Sequence, residues 1–323
     1  QAGVRRCAQL LRQPLEGRAG RPPQGLALYE ANVAPLTRYL VDRRLAASGW
    51  VEVPLASLSG VVCPRTRCER ELVLRDPAAL EPVPGESAIA PLLIASFDIE
   101  CSSTDGGFPN PAREGDRCIQ VATTLQRYGS PPHLKHLVAL RACNPIEGVE
   151  VQVVATEGEL LLAWQRFVRE QNPDVLVGYN ILKFDLAFMW ERARLLGVAT
   201  AFSQLGRDRY EETRFVTKTM SSNAAGSNEY RLFDSTLCRV QLDLLPIMRQ
   251  GHKLESYSLN AVSEALLGDK KVDMTPGRLF QLWEEGTPEG LTEIGVYCVK
   301  DVELPLRLMA HLKTVPNLVE MSR

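Results

Sequence analysis

This chain of 323 residues lacks most of the features that would assign it to a specialised class. It has no Cys-x-x-Cys pair, and the nearest spacing, Cys63 to Cys68, has no matching pair downstream, so zinc-site chemistry is not expected. The eight cysteines are scattered, which reads as free thiols in a reducing compartment rather than a disulfide framework. Only four histidines are present, and His133 and His136 stand three apart in a predicted strand, facing opposite sides. No apolar run approaches the roughly 20 residues that span a bilayer, and no secretory signal is read, so neither membrane insertion nor secretion is expected. Net charge is only −2, which gives no uniform attraction to nucleic acid. Internal repeats and low-complexity segments are absent. What remains, 45% apolar and 24% charged, is the composition of an ordinary globular protein with room for more than one domain.

The small net charge hides an asymmetry. Residues 1–80 hold 12 Arg, no Lys and 7 acids, a balance of +5, leaving −7 for residues 81–323. A basic flank beside an acidic part suits a cation site that meets a polyanion; an Arg-rich compositional bias explains it equally well. Residues 1–27, rich in Arg, Gly, Gln and Pro, read as a poorly ordered lead-in. A short helix is expected near 33–45, a strand over Trp50–Val53, and a linker over 76–90, where Asp76-Pro77 and Pro82-Val-Pro84-Gly85 punctuate the chain. From residue 91 strands and helices alternate. An apolar strand (92–100) precedes a hairpin (119–127 and 134–140), then a helix with Leu160, Leu161, Trp164, Phe167 and Val168 at helical spacing. A strand at 175–177, a helix at 185–196, a strand at 240–244 and helices at 256–267 and 291–312 follow, with Pro305 expected to kink or end the last one. Residues 207–237 interrupt this pattern as a protruding β-hairpin. The succession predicts an α/β fold of the ribonuclease-H-like type, a mixed sheet flanked by helices. The divisions are a partial N-terminal domain over 1–88, a smaller α+β unit, then a larger domain over 89–315, and a junction over 316–323.

Three separated segments carry the chemistry. Phe97-Asp98-Ile99-Glu100 ends an apolar strand, and period-2 geometry puts Asp98 and Glu100 on one face. Asp185 opens a helix after Asn180 and Phe184. Tyr297 and Asp301, four apart, share a helical face. Each motif alone has a plain structural reading: a solvated strand end, a helix-capping acid, a surface Tyr–Asp pair. Together they are stronger, because four gathered carboxylates repel one another and need cations to stay ionised. The expected occupants are two hard divalent ions, Mg²⁺ or Mn²⁺, which in nucleases lie about 3.5–4 Å apart and clamp an in-line displacement at phosphorus. Asp98, Glu100, Asp185 and Asp301 are the expected ligands. Tyr297, a phenol of ordinary pKa near 10, orients the attacking water rather than acting as base. Asn180 offers an amide to sugar or phosphate, Phe184 a stacking face, Lys253 a cation, and Ser258 with Leu259 a helix start that grips a single strand; a capped helix is the simpler reading of that last pair.

At these residues the chain resembles family B DNA polymerases of the delta type, whose three tyrosine-class exonuclease motifs they match in order. Tyr29-Glu-Ala-Asn32, Gly49-Trp-Val-Glu52, Gly107-Phe-Pro109, Arg239-Val-Gln-Leu-Asp243 and Lys253 through Asn260 extend the likeness. The resemblance implies proofreading 3′→5′ exonuclease activity on the DNA primer-template 3′ end, with the 207–237 hairpin separating primer from template. It also implies a polymerase domain in a C-terminal part that this segment lacks, an accessory subunit and a sliding clamp. The location implied is the nucleus, or a viral factory for a viral parent. Cys238 departs from the pattern, where relatives usually place Gly. The start at Gln1 leads us to expect a piece of a longer protein. Two other readings stay open, a catalytically inactive DNA-binding scaffold and a stand-alone repair or RNA exonuclease.

Overall fold

The computed structural model describes residues 33–222, 226–269 and 274–323. The lead-in over 1–27, the Tyr29-Glu-Ala-Asn32 motif and the hairpin tip at 223–225 lie outside these. The described residues divide into two compact units, one within 33–60, 72–88 and 318–323, the other within 61–71 and 89–317.

In the smaller unit α1 (Pro35–Asp42) begins with proline in its first turn, where the missing N–H costs nothing. Two short antiparallel pairs follow: β1 (Val51–Glu52) with β4 (Glu81–Pro82), and β2 (Leu58–Gly60) with β3 (Leu72–Leu74). The expected linker over 76–90 is therefore corrected. Asp76 caps a short 3₁₀ turn at Pro77–Ala79 through the Ala78 amide, and the next residues pair as β4. Proline and glycine there shape turns within a unit.

The larger unit is built on a six-stranded mixed sheet. Its strands are β5 (Leu93–Cys101), β6 (Cys118–Arg127), β7 (Pro132–Leu140), β8 (Glu150–Val154), β9 (Val175–Gly178) and β12 (Val240–Asp243), in the order β12-β9-β5-β6-β7-β8. The β5-β6-β7 meander is antiparallel, and the β9, β12 and β8 pairings are parallel. The chain between β9 and β12 holds α3 (Asp185–Leu195), α4 (Ala199–Phe202) and the hairpin of β10 (Phe215–Ser222) and β11 (Gly226–Phe233). This is the ribonuclease-H-like arrangement read from the sequence. β8 was not foreseen; its half-exposed edge position gives no clean apolar alternation.

Alternation along β5 divides the sheet's two faces. Ala95, Phe97, Ile99 and Cys101 enter a core with α2 (Glu157–Gln171), where the Phe97 and Trp164 rings lie 5.1 Å apart. A reciprocal capping box between Thr156 and Glu159 starts α2. Beyond β12 come α5 (Leu244–Gly251), α6 (Leu259–Leu267), α7 (Pro276–Glu285), α8 (Pro288–His311) and α9 (Thr314–Met321). α8 packs on β5, β6 and β7 through a second cluster of Ala122, Leu137, Ala139, Cys298, Val299 and Val302. A Cβ at Gly295 would stand 2.7 Å from Leu137 Cδ2, so a side chain there would force the buried Leu137 to shift where the helix meets the sheet. Pro305 does not end α8, which runs on to His311. It lies buried with its ring in the helix's packed face, and packing outweighs the single backbone bond forgone.

Candidate active site

The second face of β5 carries the acids. Asp98 is half-buried and Glu100 buried at the strand's C-terminal end. Asp185 is the first residue of α3 and only 2% exposed, at the helix end where the macrodipole favours a carboxylate. Asp301, 5% exposed, comes from α8 and hydrogen-bonds Tyr297 one turn earlier. Asp98 hydrogen-bonds Asp185, and Glu100 and Asp301 act on it electrostatically. The four carboxylates and Tyr297 thus act on one another as a single cluster.

The electrostatics are those of anions held together without a counter-charge. Burial pushes the Asp98 carboxyl well above the usual range, and Asp185, Glu100 and Asp301 push it further. Asp185 is pushed up to about 7, again by burial first, with hydrogen bonds from Asp98 and the Ile99 amide holding it back. Without cations Asp98 is the partner whose protonated form the hydrogen bond to Asp185 favours. Asp185 Oδ1 is buried with no hydrogen-bond partner. An orphaned carboxylate oxygen beside acids whose strongest neighbours are other acids is the donor set of a hard divalent cation, so the residues fit such ions. Ligand atoms of Asp98 and Glu100 lie within 4.8 Å of each other and of Cys298 Sγ. Burial pushes the Cys298 thiol up, and it donates to the Asp98 main-chain carbonyl at 3.8 Å, joining α8 to β5.

The loop bearing Asn180 to Asp185 has its own supports. Gly178 ends β9 where a Cβ would stand 2.8 Å from the Phe97 carbonyl and 2.4 Å from Ile181 Cγ2, so only glycine lets the loop pass β5. Asn180 adopts left-handed backbone (φ 69°) and its carbonyl accepts the amides of Lys183 and Phe184. Asp243, at the end of β12, accepts from the amides of Asn180, Leu182 and Leu245 at 2.8, 3.1 and 3.0 Å. The signal for this positioning acid in the sequence is its place closing the short strand Val-Gln-Leu-Asp, the position Asp98 has near the end of β5.

A cleft of about 460 Å³ opens beside Glu100, lined by Phe108, Phe184, Leu279, Phe280 and Tyr297 among others. The Phe108 and Phe184 rings lie edge to face at 4.9 Å. The loop carrying Phe108 is held from within: Arg192 of α3 donates to the carbonyls of Pro111 and Arg113 and pairs with buried Glu157 at 2.6 Å. The remaining expected contacts are less central. Ser258 Oγ caps α6 by accepting the Ala261 amide, Leu259 is half-buried, and Lys253 is exposed on the preceding loop. The Tyr179 hydroxyl ties this loop to the catalytic one by donating to the Tyr257 carbonyl at 2.6 Å. α7, missing from the sequence reading, supplies Leu279 and Phe280 to the cleft.

Residues 26–262 match the DNA polymerase family B exonuclease domain. The chain belongs to that family. It is 39% identical over 91% of its length to the DNA polymerase delta catalytic subunit of Oryza sativa subsp. japonica. The subunit of the same name from Bos taurus is 38% identical over 94%, and that of Schizosaccharomyces pombe 36% over 93%. The chain spans 26–28% of the length of these relatives.

Proposed function

We propose that this chain is the proofreading part of a replicative delta-like DNA polymerase, hydrolysing the terminal phosphodiester of a single-stranded or mismatched 3′ end to release a nucleoside monophosphate. The observation that carries the reading is the gathering of four acids with no cationic side chain prominent among the groups acting on Asp98. Asp98, Glu100, Asp185 and Asp301 are the residues that would hold two divalent ions, Mg²⁺ or Mn²⁺. Such ions, when bound, supply Lewis-acid stabilisation of charge on the attacking and leaving oxygens.

The rest is work for the protein's own groups. Tyr297, its phenol pushed up by burial and by Asp301, Glu100 and Asp98, stays protonated and serves as a hydrogen-bond partner that fixes the attacking water in line. Phe184 presents a ring to the terminal base, and Asn180, Ser258, Leu259 and Lys253 steady the unpaired strand. Selectivity for mismatched ends needs no reading of base identity, because melting a paired end costs stacking of about 1.4 kcal/mol per step, part of which a mismatch has already lost.

The DNA polymerase activity, an accessory subunit, a sliding clamp and a nuclear location belong with this reading of the longer protein. Among the described residues no helix is long and apolar enough to cross a membrane. The test is nuclease assay of a 3′-labelled single strand with Mg²⁺ and with EDTA, on the wild type and Asp98→Ala. Cleavage that needs the metal and disappears in the variant is expected. Persisting metal-dependent degradation by Asp98→Ala would refute the assignment.

A further inference from the structure

A second cleft, of about 340 Å³, adjoins the catalytic loop on the hairpin side. Its walls are Asn228 and Tyr230 of β11 and Arg249 and Gln250 of α5, and Asn180, Lys183 and Asp243 form its floor. Two exposed cations thus face one hollow. Neither forms an ion pair with an acid among the described residues. Lys183 Nζ donates to Asn228 Oδ1 at 2.9 Å and lies over the Tyr230 ring at 5.4 Å, while Arg249 sits 5.9 Å from the Tyr257 ring. The acid in the lining, Asp243, accepts three backbone amides and is buried at 6% exposure, so it offsets Lys183 only through the field and forms no ion pair with either cation.

We infer that this cleft grips a backbone phosphate of the strand whose 3′ end lies in the acid cluster, upstream of the bond that is cut. The inference rests on the function proposed above. The lining suits a phosphodiester: an ammonium and a guanidinium supply charge, and the Gln250 amide and Tyr230 hydroxyl supply further donors. Lys183 stands two residues before Asp185 on one loop, so a strand gripped there is positioned against the acids by the same segment that carries one of them. The acid cluster needs such help, since four carboxylates repel an incoming polyanion and nearby fixed cations offset that field. With Asn228 and Tyr230 in the wall, the middle of the β10–β11 hairpin becomes part of the grip.

Fluorescence anisotropy of a labelled oligo-deoxythymidylate, measured in EDTA so that cleavage does not intervene, tests this directly. Lys183→Ala with Arg249→Ala should weaken binding by roughly tenfold. The slope of log affinity against log salt should fall by about 0.7, the value for one single-strand phosphate that the protein no longer neutralises. A single methylphosphonate, walked along the oligonucleotide, should weaken wild-type binding most at one upstream position and leave the double variant indifferent there. Both side chains are exposed, so the variant is expected to unfold at the wild-type temperature. Wild-type affinity and salt slope in the double variant would overturn the inference. So would a loss spread evenly over every methylphosphonate position, which would mean a general field and no grip, or displacement of the oligonucleotide from this cleft by free deoxynucleoside monophosphate at equal phosphate concentration. Absent cleavage in a wild type that still shows the position-dependent loss would refute the proposed nuclease and leave the grip standing.

Discussion

The Asp243 carboxylate accepts the Asn180 backbone amide at 2.8 Å, joining the end of one parallel strand to the left-handed turn that leads into Asp185. Replacement by Asn keeps the volume and turns one accepting oxygen into a donor that faces amides. We expect Asp243→Asn to lose about 1–3 kcal/mol of stability, the cost of unsatisfied buried groups, read as a lower Tm. Cleavage by the folded variant should fall with kcat rather than KM, because Asp185 loses its placement. An unchanged kcat would show that the loop holds itself.

The acid pair sets a pH dependence with a definite sign. The Asp98 and Asp185 carboxyls are raised above their unfolded values, Asp185 to about 7, so the folded metal-free protein binds more protons than the unfolded chain in the window between about 4 and 7. Their contribution therefore favours folding as pH falls and is lost as pH rises through 7. Buried His136, lowered to about 4, works in the opposite direction. The comparison to make is the Tm difference between wild type and Asp98→Asn in EDTA. The variant should gain most above pH 7, and added Mg²⁺ should raise the wild type but not the variant. Parallel pH curves for the two proteins would count against a coupled pair.

Tyr297→Phe removes one hydroxyl from a half-buried ring and leaves the apolar surface in place. The expected result is a kcat lower by roughly 10- to 100-fold, with KM for a single-stranded oligonucleotide little changed. Because the phenol is raised far above neutrality, the wild-type rate should show no limb between pH 6 and 9 that disappears in this variant. Such a limb would assign proton transfer to the tyrosine.

Cys238 sits in the left-handed region at φ 52°, exposed, just before the strand that ends in Asp243. Glycine, expected here from the family likeness, meets no steric penalty in that conformation. Cys238→Gly should raise stability by up to about 1 kcal/mol, visible as a small Tm gain with cleavage unaltered. A lower Tm would mean the thiol makes a contact worth more than the backbone relief.

Much of this was legible in the sequence because the acids sit where strand and helix periods are unambiguous. Asp98 and Glu100 end a strand whose odd residues are all apolar, and Tyr297 with Asp301 fall on one face of a long capped helix. The elements that escaped have weaker local signals. β8 is an edge strand with half-exposed residues, so its pattern follows neighbours rather than a core. α7 was announced by Thr275-Pro276 with Leu279, Leu282 and Trp283 behind it, a cap and stripe that were there to be read. Pro305 misled because a lone proline is judged by its lost amide, while its buried packing depends on partners far along the chain. The pairing of Lys183 with Arg249 across one hollow is of the same kind, since no spacing in the sequence announces it.

Arg192 and Asp185 belong to the same short helix, two turns apart, one fastening the loop that carries Phe108 and the other reaching into the acids. The Phe108 side of the cleft and the acid cluster are consequently coupled through a single rod. A tilt of that helix would therefore move the Phe108 loop and the Asp185 carboxylate together, so neither can be repositioned without the other.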